Sequence, residues 1–274
     1  MRYLLRIQLP SRVCEALEAD QRELDRQIEA ERAEPGVGTA SCIEEFWKTR
    51  RSKKALKAVE AALRAMASGL ARCMYCEDSE GCDVEHGYPK AHYPSRAYEW
   101  PNLLWICTPC NRQKNSGFEE DLINPTREDP LDHLVLAFRT GRYTVRDNSP
   151  CGDATLRVVR RLASEPTLTA GRQNAVVKLR SILSNYDRFE ASGNCDEADE
   201  IRRAVVEEPF SAVFAAVLRA TREPGAVDIL GEELVAMVSR HPAMHDWLKE
   251  ADQARAAAVM PALEDYAREL RIRK

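Results

Sequence analysis

Apolar residues recur at helical spacing over most of the chain, and the places where that period fails are as informative as where it holds. Val13, Leu17, Leu24 and Ile28 mark one side of a helix expected over 11–34, with Ser11 able to cap it and Pro35-Gly36 to stop it. A second, longer helix is expected from Ser41, where Glu44 completes a capping box, through Phe46, Leu56, Val59, Leu63 and Met66 to about Gly69. From 72 to about 117 the period is lost, and Cys, His, Trp, Tyr, Pro and Asn dominate. A proline-punctuated stretch follows, Leu122-Ile-Asn-Pro125 and Glu128-Asp-Pro130. Leu134 to Phe138 and Arg142 to Val145 then read as two short strands joined at Gly141.

From about 153 the helical pattern returns. Leu179, Ile182, Leu183 and Tyr186 share one face, and Phe210, Val213, Phe214 and Val217 share another, with breaks at Pro166, Gly193, Pro209, Pro224-Gly225 and Pro242. There is no internal repeat and no low-complexity segment. The chain is therefore expected to be mainly α-helical with a small α+β part: an N-terminal helical segment over 1–70, a compact module over 71–146 and a C-terminal helical region over 150–274. The last region carries no recognisable chemistry and reads as scaffold or docking surface.

Charge narrows the function. Lys and Arg number 40 against 44 Asp and Glu, a net charge of −4, so nucleic acid cannot be held by bulk electrostatics and any contact needs a local patch or a basic partner. The densest basic run is Lys48, Arg50, Arg51, Lys53, Lys54 and Lys57, readable as a solvated helix face or as a phosphate-contacting surface. No apolar run approaches the ~20 residues needed to span a bilayer. The opening Met1-Arg-Tyr-Leu-Leu-Arg is too short and too early in charge for a signal peptide, and the expected location is cytoplasmic.

The chemistry concentrates where the helical period is absent. Cys73-Met-Tyr-Cys76 and Cys107-Thr-Pro-Cys110 are two tight pairs whose four thiolates can close a tetrahedral zinc site, structural because no position is left for water. A redox pair would need a thioredoxin-like βαβ setting, which the pattern lacks. Cys14, Cys42, Cys82, Cys151 and Cys195 are scattered singly and read as small buried apolar residues. Between the pairs lies Asp83-Val84-Glu85-His86, where strand alternation turns Val84 and His86 to one face and Asp83 and Glu85 to the other. Phosphodiester hydrolysis needs a base to activate water and a cation to stabilise developing charge. A neutral imidazole suits the first role, and oxygen donors from Glu85 and an asparagine suit Mg²⁺.

These residues resemble the HNH endonuclease family, whose ββα-metal core carries its chemistry on two strands and a helix. The matching elements are Cys73-x-x-Cys76, Val84-Glu85-His86, Trp100-Pro-Asn102-Leu-Leu and Cys107-x-x-Cys110-Asn111-x-x-Lys114. The resemblance implies a zinc-stabilised ββα-metal module in which His86 is the general base and Asn102 orients its ring. Glu85 and Asn111 would hold a catalytic Mg²⁺ or Mn²⁺, with Asn111 standing where many members carry histidine. Lys114, about one helical turn after Asn111, could reach a phosphate; Lys90 and Arg112 are further candidates for contacting nucleic acid, as are Arg50, Arg51, Lys53 and Lys54 by their place shortly before the cysteines.

A narrower resemblance adds Pro89-Lys90, Tyr93-Pro94, Ile123-Asn-Pro125, Glu128-Asp-Pro130 and His133, in the order seen in a subgroup that includes the nuclease subunit of the Septu anti-phage system and retron-associated nucleases. Members of that subgroup work beside an ATPase subunit of the ABC or SMC-like type. Gly87-Tyr88 departs from the bulkier aromatic-basic pair commoner there. The resemblance gives His92 and His133 no catalytic role; His133 is expected to cap or pack the segment after the cysteines, and Trp100 and Trp105 to be core.

The expected function is thus a metal-dependent endonuclease, DNA favoured, partnered by an ATPase in anti-phage defence. The alternatives are an RNA-cleaving effector and a zinc-stabilised binding module without catalysis.

Overall fold

In a computed structural model, residues 1–33, 39–50 and 53–270 are described. The protein is mainly helical with two small two-stranded sheets, as the hydrophobic pattern predicts. An extended N-terminal stretch buries Met1, Leu4, Ile7 and Leu9 and leads into α1 (Ser11–Arg32), which buries Val13, Leu17, Leu24 and Ile28. Pro10, not Ser11, occupies the N-cap: its carbonyl takes the Val13 and Cys14 N–H groups at 2.8 and 3.2 Å, and Ser11 is the first helical residue. The expected stop at Pro35-Gly36 lies outside the described residues.

The single long helix expected from Ser41 to Gly69 is instead two, α2 (Thr39–Arg50) and α3 (Lys54–Met66). Lys53 is extended at φ −77° and ψ 153°, which a continuous helix cannot accommodate, and α2 starts at Thr39, placing Ser41 within the helix rather than at its cap. Ala55, Ala58 and Ala62 give α3 a smooth buried side, beside Leu56, Val59, Leu63 and Met66.

After α3 the chain turns left-handed through Gly69, Leu70 and Ala71, at φ 54°, 62° and 61°, and enters the cysteine-bracketed part. Strand β1 (Cys82–His86) pairs antiparallel with β2 (Leu103–Cys107), Cys82 opposite Cys107 and His86 opposite Leu103. Helix α4 (Thr108–Ser116) follows β2 without a break. A second hairpin, β3 (Leu134–Ala137) and β4 (Arg142–Val145), forms where alternation and Gly141 predict it.

The remainder is helical: α5 (Pro150–Val158), α6 (Arg161–Ser164), α7 (Pro166–Ala191), α8 (Cys195–Glu207), α9 (Ser211–Ala220), α10 (Ala226–Leu230), α11 (Glu232–Arg240) and α12 (Trp247–Glu269). The breaks expected at Pro166, Gly193, Pro209, Pro224-Gly225 and Pro242 all fall between elements or at their starts. Two apolar clusters result. The larger joins the N-terminal stretch, α1–α3, both hairpins, α4 and the end of α12, which packs along α3. The smaller lies among α7, α8, α9, α11 and the start of α12, around Leu183, Phe214 and Trp247. Among the described residues no helix is long and apolar enough to cross a membrane.

Candidate metal centre and active site

The sulfurs of Cys73, Cys76, Cys107 and Cys110 converge, all within 4.8 Å of one another and each on a residue with no exposed surface. Two tight turns place them. In the first, Glu77 N–H donates to Cys73 O at 2.9 Å while Met74 N–H donates to Trp105 O at 2.9 Å, docking the turn on β2. In the second, Cys107 ends β2 as the N-cap of α4 and Cys110 falls in its first turn. Hydrogen bonding to the Cys107 sulfur, followed by other neighbouring thiols and burial, pushes the Cys110 thiol well up, and Cys76 shifts the same way. Four buried thiols this close cannot all ionise without a counter-charge, and a tetrahedral Zn²⁺ supplies it. The cluster is compatible with a structural zinc site.

Two side chains tie this cluster to distant sequence. Arg161, from α6, is almost fully buried and places Nη1 3.2 Å from Cys107 Sγ, with Nη2 3.3 Å from Asp78 and 3.5 Å from Glu80. Burial opposes its charge, but the thiols of Cys76, Cys110 and Cys107 and the Asp78 carboxylate together hold it protonated above its ordinary value. Glu77, next to Cys76 and itself at φ 63°, buries a carboxylate whose Oε1 accepts from Ser68 Oγ at 3.3 Å, Ser211 Oγ at 3.1 Å and Ala212 N–H at 3.0 Å. Neither residue is signalled by the cysteine spacing. A lone arginine and a glutamate beside a cysteine turn look like ordinary surface charge until the fold encloses them.

The hairpin and α4 bring the remaining candidates together. Val84 and His86 face inward and are buried, as alternation requires, while Glu85 is partly exposed. His86 ends β1, with Nε2 3.1 Å from Ala97 O and its ring 4.4 Å from that of Trp47 in an edge-on contact. A carbonyl only accepts, so Nε2 carries the hydrogen and Nδ1 the basic lone pair.

Asn102 is buried at the start of β2 and clamps the loop between the strands. Its Oδ1 accepts from Tyr88 N–H at 2.7 Å, and its Nδ2 donates to Tyr88 O at 3.2 Å and Arg96 O at 2.8 Å. It therefore fixes the backbone beside Ala97, which holds the imidazole. Gly87 belongs to this arrangement, since a Cβ there would sit 3.2 Å from Asn102 Oδ1. The small residue in Gly87-Tyr88 thus matches a close clamp.

Asn111, on α4, has its Oδ1 buried without a hydrogen-bond partner among the described residues, an acceptor that these residues leave unsatisfied. Lys114 lies one turn further along the same face. It is wholly buried, donates to Asn115 Oδ1 at 2.6 Å, and has a pKa lowered to about 8, by burial first, with Glu85 pulling the other way. Glu85 is thus within electrostatic reach of Lys114. An oxygen pair from Glu85 and Asn111 fits Mg²⁺ or Mn²⁺ in donor type.

The basic candidates are dispersed. Arg50 pairs with Asp20 at 3.3 Å and stacks on Phe46; Lys54 pairs with Glu269; Lys90 pairs with Glu44 at 3.0 Å, above the Trp47 ring. Lys53 and Arg112 are exposed, Lys114 is inside rather than on the surface, and Arg51 lies outside the described residues. Part of the charge run is thus matched by the chain's own carboxylates. An aromatic trio missed by sequence reasoning, Tyr88, Tyr93 and Phe118, has ring centres 5.2 to 5.6 Å apart, with Arg96 stacked 3.9 Å over Tyr88.

A buried four-sulfur cluster joined to a hairpin and helix is compatible with a structural metal site. Over 104 residues the chain is 33% identical to the Septu protein PtuB of Bacillus thuringiensis, a stretch making up 35% of this chain and 40% of that protein. The match thus spans less than half of the relative's length, and it relates this chain to a Septu protein over that part. No family model matches the chain, and no solved structure matches it.

Proposed function

We propose that this chain is a metal-dependent HNH-type endonuclease that hydrolyses phosphodiester bonds, DNA favoured, in anti-phage defence. The observation that carries the reading is the joint placement of His86, Asn102 and the partnerless Asn111 Oδ1 on one hairpin and helix. The likeness to a Septu protein supports the defence setting. In this reading the 71–146 module is the catalytic unit, and an ABC or SMC-like ATPase partner supplies recognition and much of the positive surface that this chain, at net −4, lacks.

His86 takes a proton from water at Nδ1 as the water oxygen attacks phosphorus and the P–O bond to the leaving oxygen breaks. Ala97 O holds the other ring nitrogen so that the imidazole keeps one tautomer and one orientation. Asn102 holds the loop that positions that carbonyl. Glu85 and Asn111 would hold Mg²⁺ or Mn²⁺, which when bound supplies positive charge to the phosphate and the leaving oxygen. Lys114 keeps a buried positive charge within electrostatic reach of Glu85. The Tyr88, Tyr93 and Phe118 rings suit an unstacked base, which favours single-stranded or RNA substrates as a second reading.

The test is cleavage of duplex DNA, single strands and RNA with Mg²⁺ or Mn²⁺, with and without the ATPase partner. Wild type should cut, while His86→Ala and Asn111→Ala should fall by at least a hundredfold. Equal cutting by wild type and His86→Ala would refute the mechanism, and binding without fragments would indicate a non-catalytic module.

A further inference from the structure

A second group of metal-ligating side chains lies after the cysteine-bracketed part. Glu128 follows the Pro125 turn, His133 ends the short 3-10 turn Pro130–Asp132, and Cys151 sits in the first turn of α5. One ligand atom from each lies within 4.8 Å of the other two, and all three residues are partly exposed. We propose that Glu128, His133 and Cys151 form a second zinc site, with one coordination position left to water.

Donor geometry favours this. Zinc bond lengths put tetrahedral donors about 3.3–3.8 Å apart. Glu128 Oε2 and His133 Nε2 stand 3.0 Å apart, a hydrogen-bond distance a few tenths of an ångström inside that spacing, so the pair need part only slightly to admit the ion. The atoms facing away from the site are held as outer partners of metal ligands usually are. His133 Nδ1 is 2.7 Å from Ser149 Oγ, and Glu128 Oε1 accepts from Asn124 N–H at 3.1 Å. Ser149 is in turn fixed as the N-cap of α5, accepting from Gly152 N–H at 3.3 Å.

The approach of α5 is built in as well. A Cβ at Gly152 would lie 2.3 Å from His133 O, so only glycine lets the first turn of α5, and with it Cys151, come this close to His133. Thiol, imidazole and carboxylate together select Zn²⁺ over Mg²⁺ or Ca²⁺, which take oxygen shells. Zinc takes the place of the hydrogen between His133 and Glu128 and displaces the proton of the Cys151 thiol. Partial exposure of all three ligands lets this ion exchange with solvent, unlike one sealed among Cys73, Cys76, Cys107 and Cys110.

The inference is independent of the endonuclease reading and is tested by counting metal. The full chain, equilibrated against buffer that contains free zinc at a fixed micromolar level, should hold two zinc ions. Cys151→Ser, His133→Ala and Glu128→Gln should each hold one while keeping the wild-type circular dichroism spectrum; the glutamine variant retains the bulk of the side chain and guards against misfolding. Cobalt loading adds a signature: the second ion bound should bring a weaker sulfur-to-metal charge-transfer band than the first, since one sulfur replaces four. A single zinc in the wild type, or an equal count in wild type and all three variants, would overturn the proposal and leave the cluster a hydrogen-bonded strut.

Discussion

Replacing Arg161 with glutamine would remove a guanidinium that lies 3.2 Å from Cys107 Sγ and is almost fully buried there. Four thiolates around Zn²⁺ carry a net charge of about −2, and burial makes that charge costly unless a cation sits beside it. Loss of an outer partner of a metal site typically costs 10–100-fold in metal affinity, or about 1.4–2.7 kcal/mol. Breaking a fully buried ion pair costs about 3–5 kcal/mol, but Asp78 and Glu80, the other partners of Arg161, are partly or largely exposed and regain water when it leaves. The lower range therefore governs, and we expect about 2 kcal/mol, a roughly 30-fold weaker zinc affinity. Competition against a chromophoric zinc chelator measures it directly. Arg161→Lys should fall between wild type and Arg161→Gln, because an ammonium keeps the charge but loses the planar fork. Glutamine binding zinc within threefold of wild type would refute the argument that this arginine steadies the cluster.

Lys114→Met should stabilise the fold by up to about 3 kcal/mol at pH 7, because a pKa lowered from 10.5 to about 8 means the buried ammonium costs the folded state. That cost is present below pH 8 and fades as pH rises towards 10.5, so urea unfolding should show the two proteins converging; a gap independent of pH would contradict it. Asn102→Ala should destabilise by about 1–3 kcal/mol, leaving partly buried groups at Tyr88 and Arg96 unpaired, and should speed amide exchange at Tyr88; unchanged exchange would show that the clamp is idle. Trp47→Ala should expose the His86 ring and accelerate its modification by diethyl pyrocarbonate, whereas an unaltered rate would mean that Trp47 does not shield it.

Much of the architecture was legible because its causes are local. The faces of α1 and α7, both hairpin strands and the breaks at Pro166, Gly193 and Pro242 follow from periodicity and backbone restriction. The division of α2 from α3 was not, since Lys53 is a good helix former and yet its backbone is extended. At the site, cysteine spacing anticipated the convergence of Cys73, Cys76, Cys107 and Cys110, because two short turns suffice to present such pairs. The burial of Lys114 and the pairing of Arg50, Lys54 and Lys90 with Asp20, Glu269 and Glu44 depend on contacts between distant segments, where no periodicity reports them. The same holds for Arg161 and for the aromatic trio.

Glu77 gives the metal centre a reach beyond its own turns. Its carboxylate gathers Ser211 and the Ala212 N–H at the start of α9, 134 and 135 positions along the chain. Zinc withdrawal would therefore be felt at both places at once: the turn that presents Cys76 and the first turn of α9 should open in one step. Hydrogen exchange under chelation would then rise together at Glu77 and Ala212, making the ion a governor of how two segments far apart in sequence unfold.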